Sequence, residues 1–568
     1  TDMHEQDYLD TLKAIQAKVW PAGKPTTPVY PQGERPLTEY LAHWAHTAPD
    51  RVAVHFYGHQ LTYAELEDLS NRCAALLQAQ GIKPGDRVAV FMPNCPQLHI
   101  AFYGILKMGA IHAPVSPMAK GMELSYQLND CGARAIICFD QLLPVVQEVR
   151  EQTALEQVFT TSLSELCPAQ PPTPVPDLLQ APKLPITDSI DLMPALAATA
   201  PTPQNLPKLK LDDTAALNYT GGTTGLPKGC IHTHGDMLYT CASFMPAAMG
   251  FDEERIGLNF MPEFWIAGEN SGLLFPVFAG TTLVLLARWD ALTFMSAVQH
   301  YRVTQTGLLV DSASEILDHP QVREFDFSSL ETTSCVSFIK KLTPEYRRRW
   351  RELTGCTLFE TSFGMTETHT CDTFTAGLQD DDFDLKSEPT FVGLPVPGTE
   401  FKVCDFETGE LLPLGSEGEL CLRSPSLLKG YWNKPEASAE ALRDGGWLHT
   451  GDSGVITEQG FIRYLGRRKE MLKVNGMSVF PSELEAMLGQ HPDILASAVI
   501  GKPDPKRGQT PLAFIITKPG SQASTESLRA WCKQAMAIYK VPEIRLVDTL
   551  PMTATGKVKK QELQDWIN

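Results

Sequence analysis

Between residues 87 and 139 the hydrophobic pattern changes period in a regular rhythm. RVAVFMP (87–93) is a short apolar run, PQLHIAFYGILKMG (96–109) repeats its apolar positions with helical spacing, and AIHAPVS (110–116) is short again. A second helical pattern follows before ARAIICF (133–139). Short apolar runs alternating with longer helical patterns predict βαβ units and mostly parallel sheets, an α/β fold. From about residue 468 the texture changes. PSELEAML reads as a helix, ILASAVIG and TPLAFIIT as strands, SLRAWCKQAMAIY as a helix and EIRLVDTL as a strand. That order predicts a small α+β domain of about 100 residues. The stretch CPAQPPTPVPDLLQAPKLP (167–185), continuing to about 209, is rich in Pro and Ala without periodicity and reads as a surface excursion, not a domain boundary.

A chain of 568 residues with 43% hydrophobic content is too long for one compact unit, so two or more domains are expected. Its longest apolar run, GLLFPVFAGTTLVLLA (272–287), is shorter than a bilayer span and is broken by Pro276, Gly280 and two threonines. No transmembrane helix is indicated. The acidic, polar start TDMHEQDYLDTLK is not a secretory signal, which makes the cytoplasm the default location. The thirteen cysteines contain no CxxC pair and read as reduced, mostly buried thiols. A net charge of −19 disfavours nucleic acid as a partner. Three basic runs, RRRW (347–350), GRRKEMLK (466–473) and GKVKK (556–560), read by themselves as solvated faces.

The most unusual segment is YTGGTTGLPKG (219–229), with four glycines, three threonines and a lysine in eleven positions. The strand AALNY leads into it and the helical pattern GDMLYTCASFM follows. Glycines let backbone N–H groups converge into an anion nest, and hydroxyls and a lysine add donors and charge, so the loop suits phosphates. Because Lys228 is followed by Gly229, the GxxxxGK[ST] pattern of P-loop enzymes is not met. His232 and His234 in IHTHGD have a spacing that suggests metal, but two histidines alone make a poor site and a structural role is expected.

This loop resembles the [YF]TSGTTGxPKG signature of the adenylate-forming superfamily of acyl-CoA synthetases, luciferases and peptide-synthetase adenylation domains, with Gly221 where serine is usual. FGMTE (363–367), GWLHTGD (446–452), GRRKEMLKVNGMSVFPSELE (466–485) and PMTATGK (551–557) follow in the family's order. The resemblance implies a large N-terminal domain over residues 1–466 and a mobile C-terminal lid over 467–568. It implies that Thr220, Thr223, Thr224, Gly225 and Lys228 hold the β- and γ-phosphates of ATP, that Glu367 carries Mg²⁺, and that Thr366 contacts the α-phosphate. Phe363 and Gly364 would lie beside adenine, and Asp452, assisted by Arg467, would accept the ribose hydroxyls. Lys557 would serve the adenylation transition state, where two anions meet and positive charge must offset their repulsion.

By the same resemblance a second half-reaction lets the coenzyme A thiol attack the acyl-adenylate after the lid rotates about Lys469. Lys473, Asn475 and Gly476 would then face the site, with Lys473 also placed to touch phosphate in the first step. Ser478 stands where some aryl-acid relatives have Gln. The acyl pocket is implied near Trp265 and Gly268 and near Ser337 and Phe338. Trp265 replaces a histidine common in relatives and either walls the pocket or belongs to the core, while SCVSFIKKL (334–342) replaces a Gly/Ala-rich turn. A peptide-synthetase domain would place Asp at position 265, although adjacent Glu263 is acidic. A light- or oxygen-using relative would share every motif, and an acyl-AMP ligase serving a carrier protein would differ only in acceptor. A non-catalytic nucleotide sensor would have lost Lys557, Glu367 or Asp452. The expectation is an AMP-forming acid:CoA ligase acting on a hydrophobic fatty or aryl acid with ATP, Mg²⁺ and coenzyme A. The sequence does not specify the acid or an oligomeric state, and a homodimer is compatible with it.

Overall fold

The computed structural model describes residues 3–567 apart from 207, 221–225, 338–339, 362, 388–389 and 554–555. Among the described residues the strands form four sheets, three of seven strands and one of five. The N-terminal rhythm builds the first sheet. Arg87–Phe91, Ile111–Pro114 and Ala135–Phe139 run parallel, with the helices Pro96–Lys107 and Gly121–Cys131 as crossovers. Pro96–Lys107 is buried on all sides as far as Leu106, which its continuous apolar composition requires. Its side chains join a core shared with the second sheet, where Ile256–Asn259 and Thr282–Leu285 contribute Leu258 and Leu283. The second sheet is parallel except for the hairpin Val52–Phe56 and His59–Thr62 at one edge.

The structure adds detail to two local readings and corrects a third. The Pro/Ala-rich excursion is folded onto the domain, since its short strand Ile190–Asp191 extends the first sheet and Leu179, Leu192 and Leu196 are buried. The glycine-rich loop leads first into a second strand. Gly229–Thr233 is itself a strand antiparallel to Thr214–Tyr219, and the helix His234–Phe244 starts only after it. Thr233 sets that start, its hydroxyl accepting from the Asp236 amide while Asp236 caps back onto the Thr233 amide. The RRRW run is only partly solvated. In the helix Pro344–Thr354, Trp350 is fully buried and the buried Arg347 guanidinium donates to both oxygens of Asp384 at 2.7 and 2.8 Å.

The third sheet is antiparallel and includes Glu400–Cys404, Glu417–Arg423, Trp447–Ile456 and Ile462–Arg467. The helix Met3–Val19 packs on it through Leu9 and Leu12, a 2.8 Å Glu5–Lys402 ion pair and a hydrogen bond from Gln16 to the Gly460 carbonyl. The fourth sheet forms the small C-terminal domain. Ile494–Asp504 and Gly508–Thr517 are antiparallel over ten paired positions, and Glu543–Leu546 lies parallel to the latter. The helices Pro481–Leu488, Thr525–Ala535 and Lys560–Ile567 complete it. The helix read through Tyr539 stops at Ala535 because Met536 is extended. Large α/β N-terminal and small α+β C-terminal domains therefore stand as expected, and among the described residues no helix is long and apolar enough to cross a membrane.

Candidate active site

Between the third sheet and the C-terminal domain lies a cleft of ≈ 1840 Å³. It gathers residues from motifs far apart in the chain: Lys228, Phe363, Glu367, Asp452, Arg467 and Lys557 all line it. Gly364 and Lys469 do so as well.

Asp452 sits in the long strand Trp447–Ile456, where an irregularity in the pairing lets the segment around Gly451 turn toward the cleft. Its amide donates to Thr450 Oγ1 at 3.0 Å, and that hydroxyl donates to the Leu420 carbonyl at 2.7 Å, so the carboxylate is held by its own neighbour. Arg467 is its cross-strand partner, with Nε 3.3 Å from Asp452 Oδ1. That oxygen is buried and accepts no hydrogen bond of good geometry. Burial pushes the Asp452 carboxyl up to about 7, against the pull of Arg467 and with a further push from Glu367. The site therefore presents an acceptor whose own surroundings leave it wanting donors.

Lys228 and Thr220 close the base of the glycine-rich hairpin. The Thr220 amide donates to the Lys228 carbonyl at 2.9 Å, and the Lys228 amide donates to Thr220 Oγ1 at 3.0 Å. The Lys228 ammonium lies 5.2 Å from the ring centroid of Tyr431, whose hydroxyl donates to Glu367 Oε2 at 2.9 Å. Tyr431 thus links the lysine to the carboxylate. Thr366 and Glu367 lie on a single 3₁₀ turn, Thr366–Thr368, anchored by His232, which donates from Nε2 to the Thr366 carbonyl at 2.7 Å. His232 Nδ1 faces Asp236 at 2.8 Å, so this histidine has the structural role expected of it. Gly364 is needed at the approach to that turn, because a Cβ there would stand 2.1 Å from Thr370 Oγ1. Phe363 packs against Tyr464 with ring centroids 5.7 Å apart.

Lys557 enters from the opposite side on a tight backbone loop. Thr553 N–H donates to the Lys557 carbonyl at 2.7 Å, and the Lys557 amide donates to Thr553 Oγ1 at 3.0 Å. Its side chain is exposed within the cleft but crowded. Desolvation lowers its pKa first, the like charge of Arg467 lowers it further, and Glu470 opposes both. Lys469 is exposed on the turn Arg468–Glu470, between the strand Ile462–Arg467 of the third sheet and Leu472–Val474 of the fourth.

Not every expected residue reaches the cleft. Lys473 Nζ donates to Ser478 Oγ at 3.1 Å across its own hairpin, and Asn475 and Gly476 form the exposed tip with positive φ of 51° and 77°. In this arrangement none of these three residues lines the cleft. Trp265 is half-buried at the start of the short helix Ile266–Gly268, and neither it nor Gly268 lines the cleft. A Cβ at Gly268 would stand 1.9 Å from the Pro262 carbonyl oxygen, so close packing accounts for this glycine. Glu263 is fully buried against His99, 2.8 Å away, and is not available to a substrate ammonium. Ser337 does line the cleft, donating to Glu360 from both its hydroxyl and its amide at 2.9 Å. Thr223, Thr224, Gly225, Phe338 and Thr555 lie outside the described residues.

Sequence reasoning missed Tyr431 and Glu360. Tyr431, in the segment LLKGYW, has no local signal that would tie it to Glu367, 64 positions away. Glu360 ends the short strand Leu358–Glu360 just before FGMTE. Its carboxyl is half-buried and its pKa raised by desolvation, with Ser337 and Lys341 pulling it back. An acid closing an apolar run before a recognised motif was the available signal.

The fold and cleft are those of an adenylate-forming enzyme, and the chain belongs to the AMP-binding enzyme family. The family's main domain matches residues 41–432, and the AMP-binding enzyme C-terminal domain matches 483–557. The chain is similar to a long-chain-fatty-acid–CoA ligase of Bacillus subtilis (strain 168), 34% identical over 94% of this chain and 95% of that one. It is similar as well to a long-chain-fatty-acid–CoA ligase of Escherichia coli O157:H7, 33% identical over 98% of both chains. Among solved structures it resembles the anthranilate CoA ligase AuaEII in complex with anthranoyl-AMP, with a TM-score of 0.80 and 27% identity over 94% of this chain and 97% of that one.

Proposed function

We propose that this protein is an ATP-dependent, AMP-forming acid:CoA ligase that activates a hydrophobic fatty or aryl acid as its acyl-adenylate and passes the acyl group to coenzyme A. The observation that carries the reading is the convergence of Asp452, Arg467, Glu367, Lys228 and Lys557 on one cleft from separated motifs. Asp452 supplies a buried two-oxygen acceptor suited to a ribose diol, and its surplus of unmet acceptor capacity is what two hydroxyl donors would relieve. Lys228 and the hairpin base at Thr220 stand where a polyphosphate meets the glycine-rich loop, and residues 223–225 belong to the same phosphate role. Glu367 is a hard oxygen donor facing the cleft, which fits Mg²⁺, and the ion would neutralise polyphosphate charge. Lys557 brings a compact positive charge to the position where carboxylate and α-phosphate must approach.

For the second half-reaction we assign the hinge to Lys469, with residues 1–466 as the nucleotide and acyl domain and 467–568 as a lid. Its exposed place on the turn between two sheets supports this, since few contacts there resist a change of φ and ψ. A rotation of the lid would exchange Lys557 for the Lys473–Gly476 hairpin, which is exposed and uncommitted to the cleft in the present arrangement. Trp265 and Ser337 remain candidates for the acyl pocket, and the free thiols, eleven of them buried, support a cytoplasmic location. Full-length similarity to acid–CoA ligases favours coenzyme A over a carrier protein as acceptor. The test is pyrophosphate release with ATP and Mg²⁺ over short, medium, long and aromatic acids, with and without coenzyme A. Acid-dependent release with an acyl-CoA product only when coenzyme A is present is the expected result. Adenylate formation without any thioester would overturn the choice of acceptor.

A further inference from the structure

Behind Asp452, two strands of the third sheet turn three metal-binding side chains onto one face. Glu419 and Cys421 are two apart on Glu417–Arg423 and so share a face. His449, on Trp447–Ile456, pairs directly with Cys421, and the register shifts between Cys421 and Glu419. His449 Nδ1 lies 2.7 Å from Glu419 Oε1 and 3.4 Å from Cys421 Sγ, and the three donor atoms lie within 4.8 Å of one another.

We propose that Glu419, Cys421 and His449 bind a zinc ion that pins the segment carrying Asp452. One sulfur, one imidazole nitrogen and one carboxylate oxygen, with water as the fourth ligand, are a donor set that selects zinc over magnesium or calcium, which take oxygen. Tetrahedral zinc with bonds of about 2.3 Å to sulfur and about 2.0 Å to nitrogen separates those two donors by about 3.5 Å. The 3.4 Å between Cys421 Sγ and His449 Nδ1 already matches, while the 2.7 Å His449–Glu419 hydrogen bond would open slightly to admit the ion. Glu419 and His449 line the cleft and give the ion a route in, whereas Cys421 is buried beneath Leu9 and Trp447. The Gly451 amide donates to Glu419 Oε2 at 3.0 Å, so the site is tied to the turn that aims Asp452.

The test uses the full chain, stripped with EDTA and titrated with cobalt(II) and then zinc. The expected result is one metal per chain, a thiolate-to-cobalt charge-transfer band with tetrahedral ligand-field bands, displacement by zinc, and a zinc-dependent rise in melting temperature. In Cys421→Ala the charge-transfer band and the melting-temperature gain should both vanish. Should that variant fail to fold, His449→Gln keeps the thiol and is expected to lose cobalt affinity by roughly tenfold or more, since losing even a residue that merely supports a ligand costs that much. A wild-type protein without the charge-transfer band, or a band that survives the loss of Cys421, would overturn the site and leave a hydrogen-bonded Glu–His pair. Unchanged cobalt affinity in His449→Gln would overturn it equally.

Discussion

Replacing Asp452 by asparagine is expected to stabilise the empty protein and to weaken its hold on nucleotide. Asp452 is 3% exposed, and burial raises its carboxyl from 3.8 to about 7. Between those values the folded protein keeps a proton that the unfolded chain has released, so stability falls as pH rises through the window, the reverse of the usual carboxylate case. The full gap from 3.8 to about 7 corresponds to at most about 4 kcal/mol above pH 7. Because the cleft admits water, which solvates part of the charge, about 1–2 kcal/mol is the expected net cost. Asparagine removes that cost and keeps the amide bond to Thr450. Melting curves of both proteins from pH 4 to pH 8 should nearly coincide at the acid end and separate progressively, with the Asp452→Asn variant the more stable at pH 8. The same substitution gives up one charged acceptor, worth about 1.5–3 kcal/mol, so AMP affinity should fall by roughly 10- to 100-fold. A variant that melts at or below wild type at pH 8 would refute the claim that this carboxylate is held at the expense of stability.

Lys557→Ala should cut acid-dependent pyrophosphate release by roughly 10²- to 10³-fold, as losing one donor to a developing charge does. Its melting temperature should stay unchanged, because only the backbone of Lys557 holds its loop. Since crowding and Arg467 lower the pKa of the Lys557 ammonium, kcat/KM for adenylation should fall with rising pH before the ordinary lysine value of 10.5 is reached. A limb that begins only at or above that value would contradict the assignment. Arg347→Met should destabilise the N-terminal domain by about 3–5 kcal/mol, because it strands the buried Asp384 without its partner; denaturant unfolding would show it, and an unchanged midpoint would not fit.

The parallel sheets were legible because Arg87–Phe91 and its neighbours are apolar almost throughout, a consequence of burial on both faces. The strand Gly229–Thr233 was not, since GCIHT mixes a glycine, a histidine and a threonine and owes its pairing to Thr214–Tyr219 opposite. Arg347 likewise looks like its exposed neighbour Arg348 until Asp384, 37 positions later, folds against it. Asp452, Glu367 and Lys557 were readable as a set only through motif order, because each reaches the cleft from a different element. The link from Glu367 through Tyr431 to Lys228 exists only in three dimensions, and so does the commitment of Glu263 to His99.

The helix Met3–Val19 lies on the very sheet that presents Asp452, and its partners Lys402 and Gly460 come hundreds of residues later. During synthesis its apolar side chains have nothing to rest on until the strands around Lys402 and Gly460 have been made. Closing so long a loop is slow, and the waiting surface is exposed to other chains meanwhile. The seat of Asp452 is in this sense finished by a segment made hundreds of residues before it, which makes the yield of active enzyme a matter of how well that segment is shielded while it waits.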